Sequence, residues 1–434
     1  MVTAIIVSAV TGVLVCASVL FKPEIKIFGK GIGTYWIVSL VGAVAILVSG
    51  VVPVQFVASA FSSAGAVNPI KILALFFSMT FISVYLDELG VFEFLANEVL
   101  KKCGNSQKAI FLKLYLLVSV LTVFTSNDVI ILTFTPFICS FSKHAKINPL
   151  PYLFAEFIAG NTWSMCLIIG NPTNVYLGSS ANLAFWDYFE VMALPTLFSG
   201  VVTLCLLLLI FRKSLKEIPS VLPCENIVLK KIPVAVGTAH LVVCVILLAI
   251  SSYIGLEMWL VSVILCLSLA IFSFIYSATE KSAEVPVRTL RRLPYELIPF
   301  AVSMFVLVSA LSYTGVAEKI ASVLSGTNTV FSVGISSFFV ANVINNIPMS
   351  VLFSSVLASP SFCGSAFYGG VYSAIIGSNL GAYFTPVGAL AGIMWISMLK
   401  KSGVKLSFKN FVGYGAIISA PTLLTALVTL NFIV

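Results

Sequence analysis

The chain has 434 residues; 59% are hydrophobic, only 9% are charged, and the formal net charge is +8. Soluble globular proteins carry charges on roughly 25% of their residues, so this chain has too few to cover a surface in water. The composition excludes a soluble multidomain enzyme and predicts an all-α polytopic membrane protein. We interpret the positive charge as an orientation signal, not as a nucleic-acid-binding surface.

A helix that crosses a bilayer needs about 20 mostly apolar residues. Stretches of this kind predict about ten crossings, and no basic residue precedes the first, which favours a retained helix over a cleaved signal peptide. The predicted crossings are 2–21, 33–60, 69–86, 150–182, 188–211, 232–254, 257–277, 294–312, 365–398 and 407–431.

Two further apolar stretches, 109–141 and 327–357, are interrupted at their centres by polar residues. Ser126-Asn127-Asp128 interrupts the first, and Asn345-Asn346 interrupts the second. Each arm then has roughly 15 residues, which is short for a crossing. Both stretches are therefore predicted to be re-entrant hairpins that enter and leave the membrane on the same side.

The distribution of basic residues supports this layout. With the N-terminus outside, 22 of the 24 Lys and Arg residues fall on the inner side, and only Lys71 and Lys319 fall elsewhere. An excess of Lys and Arg in cytoplasmic segments is the usual pattern. The prediction is a multi-pass protein of the plasma (inner) membrane, with both termini outside and residues 212–231 in the cytoplasm.

The two halves of the chain, 1–211 and 232–434, have the same order of predicted elements. Each contains three crossings, a hairpin, a long interrupted crossing and a last crossing, and the segment 212–231 joins them. The interruptions of the long crossings are predicted at 170–174 and 377–381. Because each half has an odd number of crossings, the halves would form inverted-topology repeats, as in many secondary transporters.

Lipid cannot satisfy an open backbone, so helix breaks at membrane depth must lie in protein or face a wet cavity. Small polar residues at the four breaks are expected to cap half-helices and to bind a solute, with Na⁺ as a further candidate near Asn127, Asn174, Asn346 and Asn379. The alternative is that these residues only kink packed helices. The predicted substrate-binding residues are Ser126, Asn127, Asn171, Thr173, Asn174, Asn345, Asn346, Ser378, Asn379 and Thr385.

Two acidic residues are candidates for ion coupling. Asp128 lies at the first hairpin tip, where a carboxylate costs roughly 2.5–3.5 kcal/mol on insertion scales unless it is compensated. It is predicted to carry H⁺ or contact Na⁺, or else to pin the hairpin as a buried cap. Glu156 either takes part in coupling or snorkels to the inner surface. Asn97 is predicted to lie in a loop. No cofactor beyond H⁺ or Na⁺ is expected.

Motifs of several other protein classes are absent from the sequence. It contains no G-x-x-x-x-G-K-[ST] motif for ATP, no H-E-x-x-H and no G-x-S-x-G. Its nine cysteines include no C-x-x-C pair, which argues against a zinc or disulfide framework. The chain is therefore not expected to be an enzyme or to hold a structural metal.

Four segments resemble a known family. They are LDELGVFEFLA (86–96), TSNDVIILTFTPFI (125–138), NVINNIPMSVL (342–352) and GSNLGAYFTPVGALAGIMW (377–395). With these segments the chain resembles the ArsB-type arsenical pump membrane proteins of the ion transporter superfamily, which also holds NhaD-type antiporters and divalent anion/sodium symporters. The matched positions are Asn127, Asp128, Asn345, Asn346, Pro348, Thr385, Pro386 and Gly388.

The resemblance implies scaffold and transport domains around one site, and often an elevator-type movement. The chain departs from the arsenite permeases at three positions. It has Asn379 where they have Asp and Tyr383 where they have Lys, and near Asn161 they also carry Asp. The site is therefore expected to be less charged than theirs.

These observations predict a secondary active transporter of a small anion or oxyanion, of the arsenite or organic-anion class, coupled to H⁺ or Na⁺. A Na⁺/H⁺ antiporter is the alternative, and a channel is less favoured because it would not need an inverted repeat. The expected partners are the solute and the lipid bilayer, without nucleic acid, and a homodimer is left open.

Overall fold

The computed structural model describes residues 1–21, 24–27, 30–62, 68–101, 106–216, 229–251, 253–280, 284–326 and 328–434. It confirms an all-α polytopic membrane protein. The helices are α1 Val2–Phe21, α2 Thr34–Val48, α3 Val54–Ser62, α4 Pro69–Glu88, α5 Val91–Lys101, α6 Gln107–Phe124, α7 Asn127–Ala145, α8 Leu150–Trp163, α9 Pro172–Ser180, α10 Phe185–Ile210, α11 Lys231–Ile250, α12 Met258–Thr279, α13 Glu284–Arg292, α14 Leu297–Tyr313, α15 Val316–Leu324, α16 Thr329–Ile344, α17 Asn346–Leu357, α18 Ser365–Gly381, α19 Leu390–Lys401 and α20 Phe408–Asn431.

Within the described part of the chain, seven helical stretches are long and apolar enough to cross a membrane. Shorter apolar helices accompany them, so the number of crossings stays a prediction. The seven stretches are Pro69–Glu88, Gln107–Phe124, Phe185–Ile210, Lys231–Ile250, Met258–Thr279, Glu284–Tyr313 and Phe408–Asn431.

Several local details differ from the predictions. The crossing expected at 33–60 consists of two helices, α2 and α3, and two short antiparallel strands precede it, β1 Glu24–Ile27 and β2 Lys30–Gly33. The arms of the first hairpin, α6 and α7, have 18 and 19 residues and are longer than expected. Most of the predicted linker, residues 217–228, lies outside the described residues.

Apolar side chains form two clusters. The larger one joins most helices from α4 to α20, and the smaller one joins α1, α2, α3 and α14 and reaches Val387 and Leu390. Large apolar side chains on α10, α11 and α12, such as Leu209, Ile246 and Ile275, point outward. An apolar outer surface is what a lipid environment favours, because lipid tails are as apolar as these side chains.

Segments that the charge pattern assigns to one side of the membrane also lie together in the structure. Lys71 at the start of α4 forms an ion pair with Glu257, which directly precedes α12. At the opposite end of α4, Arg292 bonds to both Asp87 and Glu88, each at 2.7 Å. The Lys71–Glu257 pair and the two bonds of Arg292 therefore join the two halves of the chain, at opposite ends of α4.

Candidate functional site

The first hairpin tip leaves two polar groups without partners. The chain leaves the helix after Phe124 and re-enters it at Asn127, with Ser126 in an extended conformation as the N-cap of α7. The Ser126 hydroxyl is buried, makes no cap bond and has no other partner. Asp128 is 6% exposed, and no described residue bonds to its carboxylate. Because buried polar groups are normally paired, these atoms are candidates to contact a solute or ion.

Asn127 connects this tip to the neighbouring broken helix. Its side-chain nitrogen donates to Asn161 Oδ1 at 3.2 Å, and its own oxygen accepts from the backbone N–H of Asp128 at 2.9 Å. The side chain of Ser126 makes no hydrogen bond to the first turn of α7, so the prediction that it caps this helix is wrong. Asn161 is a site residue that sequence reasoning noticed only as a departure from the arsenite permeases.

The second hairpin tip is strained. Asn345 has φ 76° and ψ 156°, a region that is nearly restricted to glycine and costs about 1–3 kcal/mol. Its side chain compensates: Oδ1 accepts from the N–H of Ile347 at 3.4 Å, and Nδ2 donates to the carbonyl of Val387 at 2.9 Å. The next residue, Asn346, has a buried Oδ1 without a partner. Each tip thus presents an unpaired buried oxygen, from Ser126 and from Asn346.

The first broken helix opens close to the predicted position. The chain leaves α8 at Trp163, forms two short 3₁₀ turns, Ser164–Cys166 and Ile168–Gly170, and begins α9 at Pro172. Asn171 caps α9, because its Oδ1 accepts from the N–H and the hydroxyl of Thr173 at 3.2 and 3.1 Å. Pro172 fits the first position of a helix, where no N–H is needed.

The second broken helix opens later than predicted. The prediction of a break at 377–381 is wrong, because α18 continues through Gly381 and the irregular segment covers 382–389. Ser378 and Asn379 therefore lie in the last turns of a helix and cap no half-helix. A Cβ on Gly377 would collide with Ser337 Oγ and with the carbonyl of Gly334 on α16. Gly377 therefore permits close packing of α16 against α18 and does not break the helix.

Asn342 holds the open segment of this second broken helix. Its Oδ1 accepts from the N–H and the hydroxyl of Thr385 at 3.0 and 2.7 Å. Its Nδ2 donates to the carbonyl of Gly381 at 3.0 Å. Sequence reasoning missed Asn342 as a site residue, although it begins the segment 342–352 that resembles the known family.

Asn379 joins the two halves of the chain. Its Oδ1 accepts from Ser164 Oγ and Asn171 Nδ2, both at 3.0 Å, and its Nδ2 donates to Asn174 Oδ1 at 2.7 Å. A fourth bond goes to the carbonyl of Ile375 at 2.8 Å. An amide can make four such bonds, so no donor or acceptor of Asn379 remains for a ligand.

A second contact, from Ser378 Oγ to Thr173 Oγ1 at 2.9 Å, lies beside this amide. Asn174 also donates to the carbonyls of Ser164 and Leu167, at 2.8 and 3.2 Å. We call the hydrogen-bonded set Ser164, Asn171, Thr173, Asn174, Ser378 and Asn379 the amide junction. It brings the predicted residues of the first broken helix and of α18 into one network.

Glu156 lies inside the protein. It is 1% exposed, so the snorkelling interpretation is wrong. Its carboxylate accepts from Thr135 Oγ1 of α7 at 3.1 and 3.3 Å and from Trp395 Nε1 of α19 at 3.2 Å. No described Lys or Arg forms an ion pair with it. Asn97 also differs from the prediction, because it is buried in α5 and does not lie in a loop.

Comparisons with known proteins agree with this architecture. The sequence profile described as "Citrate transporter" matches residues 27–366. The chain belongs to the citrate transporter family. It is also similar to the arsenical pump membrane protein of Escherichia coli, at 25% identity over 414 residues covering 92% of this chain and 94% of the relative. These matches confirm the resemblance inferred from the motifs.

Two further relatives show how far the similarity extends. The arsenical pump membrane protein of Yersinia enterocolitica is 25% identical over 420 residues, which cover 92% of this chain and 94% of that protein. An uncharacterized transporter of Synechocystis is 24% identical over 386 residues, which cover 82% and 84%. The similarity to these relatives extends over most of the chain. This member of the citrate transporter family is therefore an integral membrane transport protein.

Among the residues that the structure describes, none at the site of this citrate transporter family member is basic. Three helices, α7, α9 and α17, begin at it, and the N-terminal end of a helix carries a partial positive charge. Tyr383 is buried and its hydroxyl lies 3.5 Å from Thr162 Oγ1. The electrostatic environment is thus set by helix ends, neutral amides and the carboxylate of Asp128.

Proposed function

We propose that the protein is a secondary active transporter that carries a small anion or oxyanion across the membrane, coupled to H⁺ or Na⁺. The observation that carries the proposal is the pair of hairpin tips. Each has an unpaired buried oxygen, and each begins a helix whose N–H groups can bind an anion. The family match and the similarity to arsenical pump membrane proteins support transport of a small anionic or oxyacid solute.

The absence of basic residues from the site bears on the charge of the solute. Helix ends contribute only about half an elementary charge each, and Asp128 repels an anion whenever it is ionised. A neutral oxyacid, a weak acid or a monoanion fits this environment better than a trianion such as citrate. A cation bound with the solute, or a proton on Asp128, would remove the repulsion, and this is the physical reason for coupling.

An uptake screen tests the proposal. Purified protein in liposomes would be offered labelled acetate, phosphate, arsenite and citrate, with imposed proton or sodium gradients in separate samples. We expect uptake of at least one of the smaller solutes to depend on one gradient and to exceed that of citrate. If no solute moves under any gradient, or if uptake ignores both gradients, the proposal is wrong.

A Na⁺/H⁺ antiporter is the second candidate. The observation in its favour is that Asp128 and Glu156 are both buried without a cationic partner in the described structure. An antiporter needs a carboxylate that exchanges a proton for a cation, and two deep acids could provide it. Sodium-dependent proton release from liposomes without any anion would favour this candidate over anion transport.

Glu156→Gln tests whether the second acid carries a proton. The amide can still accept from Thr135 and Trp395, so we expect unchanged stability and folding. If Glu156 carries a proton, the variant should lose the pH dependence of transport and reduce the maximal rate by about tenfold or more. The matched control is Glu318→Gln, in α15 at the start of that helix. Identical pH profiles for wild type and Glu156→Gln would show that Glu156 does not carry the proton, and Asp128 would be the remaining candidate.

A further inference from the structure

A cavity of about 210 Å³ lies between the start of α4, the end of α9 and the segment that connects α11 with α12. Ile72, Leu75 and Val175 form apolar walls, and Ser179 and Asn182 add polar groups. Ser179 follows Pro172, the first residue of α9, by seven residues. Val175 directly follows Asn174 of the amide junction, and Ser179 lies five residues, or about 7 Å, beyond Asn174 along α9.

The rim of the cavity carries a specific set of charges. Lys71 Nζ lies 2.6 Å from Glu257 Oε2, and Trp259 Nε1 donates to the same oxygen at 2.7 Å. The hydrogen bonds from Lys71 and Trp259 lower the pKa of Glu257, so its carboxylate is charged at neutral pH. Lys71 is also one of only two basic residues that the sequence pattern places off the inner side.

A second, smaller cavity of about 40 Å³ lies nearer the site. Both cavities share Ile72 as a wall. The smaller one is lined by Pro172, at the start of α9, and by Ile347, next to Asn346 at the second hairpin tip. The larger cavity thus lies at the charged rim and the smaller one at the helix ends of the site, with Ile72 as a wall of both.

We infer that the cavity beneath Lys71 and Glu257 is the mouth of the solute path and an electrostatic binding site for a small anion before it reaches the hairpin tips. This inference rests on the proposed function. Lys71 attracts the anion, and Glu257 competes with it for the ammonium group. The apolar walls leave room for a monoanion with a small organic or oxyacid body, and Ile72 separates the mouth from the site.

The two charges of the rim should have opposite effects. Lys71→Gln removes the attraction, while Glu257→Gln removes the competitor and keeps an oxygen that can accept from Trp259. An ion pair that only stabilised the fold would give the same direction in both variants. Because exposed ion pairs contribute about 0–1 kcal/mol to stability, both variants are expected to fold.

Charged thiol reagents test the inference without any assumption about the transported solute. Ser179→Cys would be reacted with negatively charged sulfonatoethyl methanethiosulfonate, and modification would be followed on the peptide that contains residue 179. At low ionic strength we expect the added Lys71→Gln to slow the reaction about 3- to 10-fold and the added Glu257→Gln to accelerate it about 2- to 5-fold. The positively charged trimethylammonium reagent should show the reverse order, and high salt should reduce both effects.

Transport kinetics provide a second measurement. With the best-transported anion of the uptake screen, Lys71→Gln should raise KM and Glu257→Gln should lower it, with little change in kcat. Reaction rates and KM values that shift in the same direction in both variants, or do not shift at all, would overturn the inference. If the wild type moves no anion while the reagent rates still diverge, the charged mouth stands and the proposed function fails.

Discussion

The amide junction and the hairpin tips contain the same kinds of side chain but differ in how they are bonded. In the junction, all four hydrogen-bonding positions of Asn379 are occupied by other protein groups. At the tips, Ser126 Oγ and Asn346 Oδ1 are buried without partners. A saturated network fixes the position of helices, and unsaturated groups remain to bind something else. Residue type and depth alone therefore do not identify ligand contacts.

The largest effect is expected for Asp128→Asn, at the first tip. The amide is the same size but cannot release a proton or hold a cation strongly, so gradient-driven uptake should fall about 100-fold or more. Folding should be retained, because no described protein group bonds to the carboxylate. The measurement is uptake in liposomes across a range of pH and Na⁺ concentrations. A variant with the wild-type rate and the same pH and Na⁺ dependence would reduce Asp128 to a structural cap.

Asn379→Leu tests the junction. The change leaves Asn171 Nδ2 and Asn174 Oδ1 without partners in a buried place, at about 1–3 kcal/mol each, so roughly 2–6 kcal/mol of stability should be lost. Solute binding should weaken as a consequence, because Asn171 and Asn174 lose their hydrogen bonds to α18 and, in the amide junction, only the bond between Ser378 and Thr173 remains. Thermal unfolding in detergent measures the first effect. Asn410→Leu is the control, since that side chain is exposed on α20. An unchanged melting temperature together with lost binding would instead make Asn379 a direct ligand.

Asn346→Leu should weaken solute binding with little loss of stability, unlike Asn379→Leu, and its effect should be the smallest of the three. Its Oδ1 has no partner to lose, so stability should change by less than about 1 kcal/mol. Solute affinity should fall about 10-fold, because one polar contact is removed. Equilibrium binding of the labelled solute, measured beside the melting temperature, separates the two. Loss of stability without loss of affinity would place the second tip in the same class as the junction.

Much of this architecture could be predicted from the sequence, for identifiable reasons. The break at Asn171-Pro172 was predicted close to its position, because proline lacks an N–H and asparagine caps the helix that follows. The break at 377–381 was misplaced because Gly377 looks the same in a kink and in a tightly packed helix. Only the position of α16 shows which one applies, and local sequence does not contain that information.

The sequence also could not predict which polar side chains have hydrogen-bond partners in the protein. Asn342 and Asn346 are both asparagines of the second hairpin, yet one amide bonds to Thr385 and Gly381 and the other has an unpaired oxygen. The sequence left open whether Glu156 takes part in coupling or reaches the inner surface, and it did not indicate that Thr135 and Trp395 from other segments would provide its hydrogen bonds. Both differences arise from tertiary contacts, between α16 and the segment after α18 for Asn342 and between α7, α8 and α19 for Glu156.

The close approach of α16 and α18 has a consequence for motion. At Gly377 the two backbones touch where a side chain would normally separate them, because a Cβ there would lie 2.6 Å from the carbonyl oxygen of Gly334 and 2.8 Å from the nitrogen of Phe338. Sliding or rotation of one helix against the other at this contact would therefore produce a steric clash. We therefore expect α16 and α18 to move together in any conformational change. We expect relative movement at interfaces that are packed less closely, such as the one between α4 and α9, where the two cavities lie.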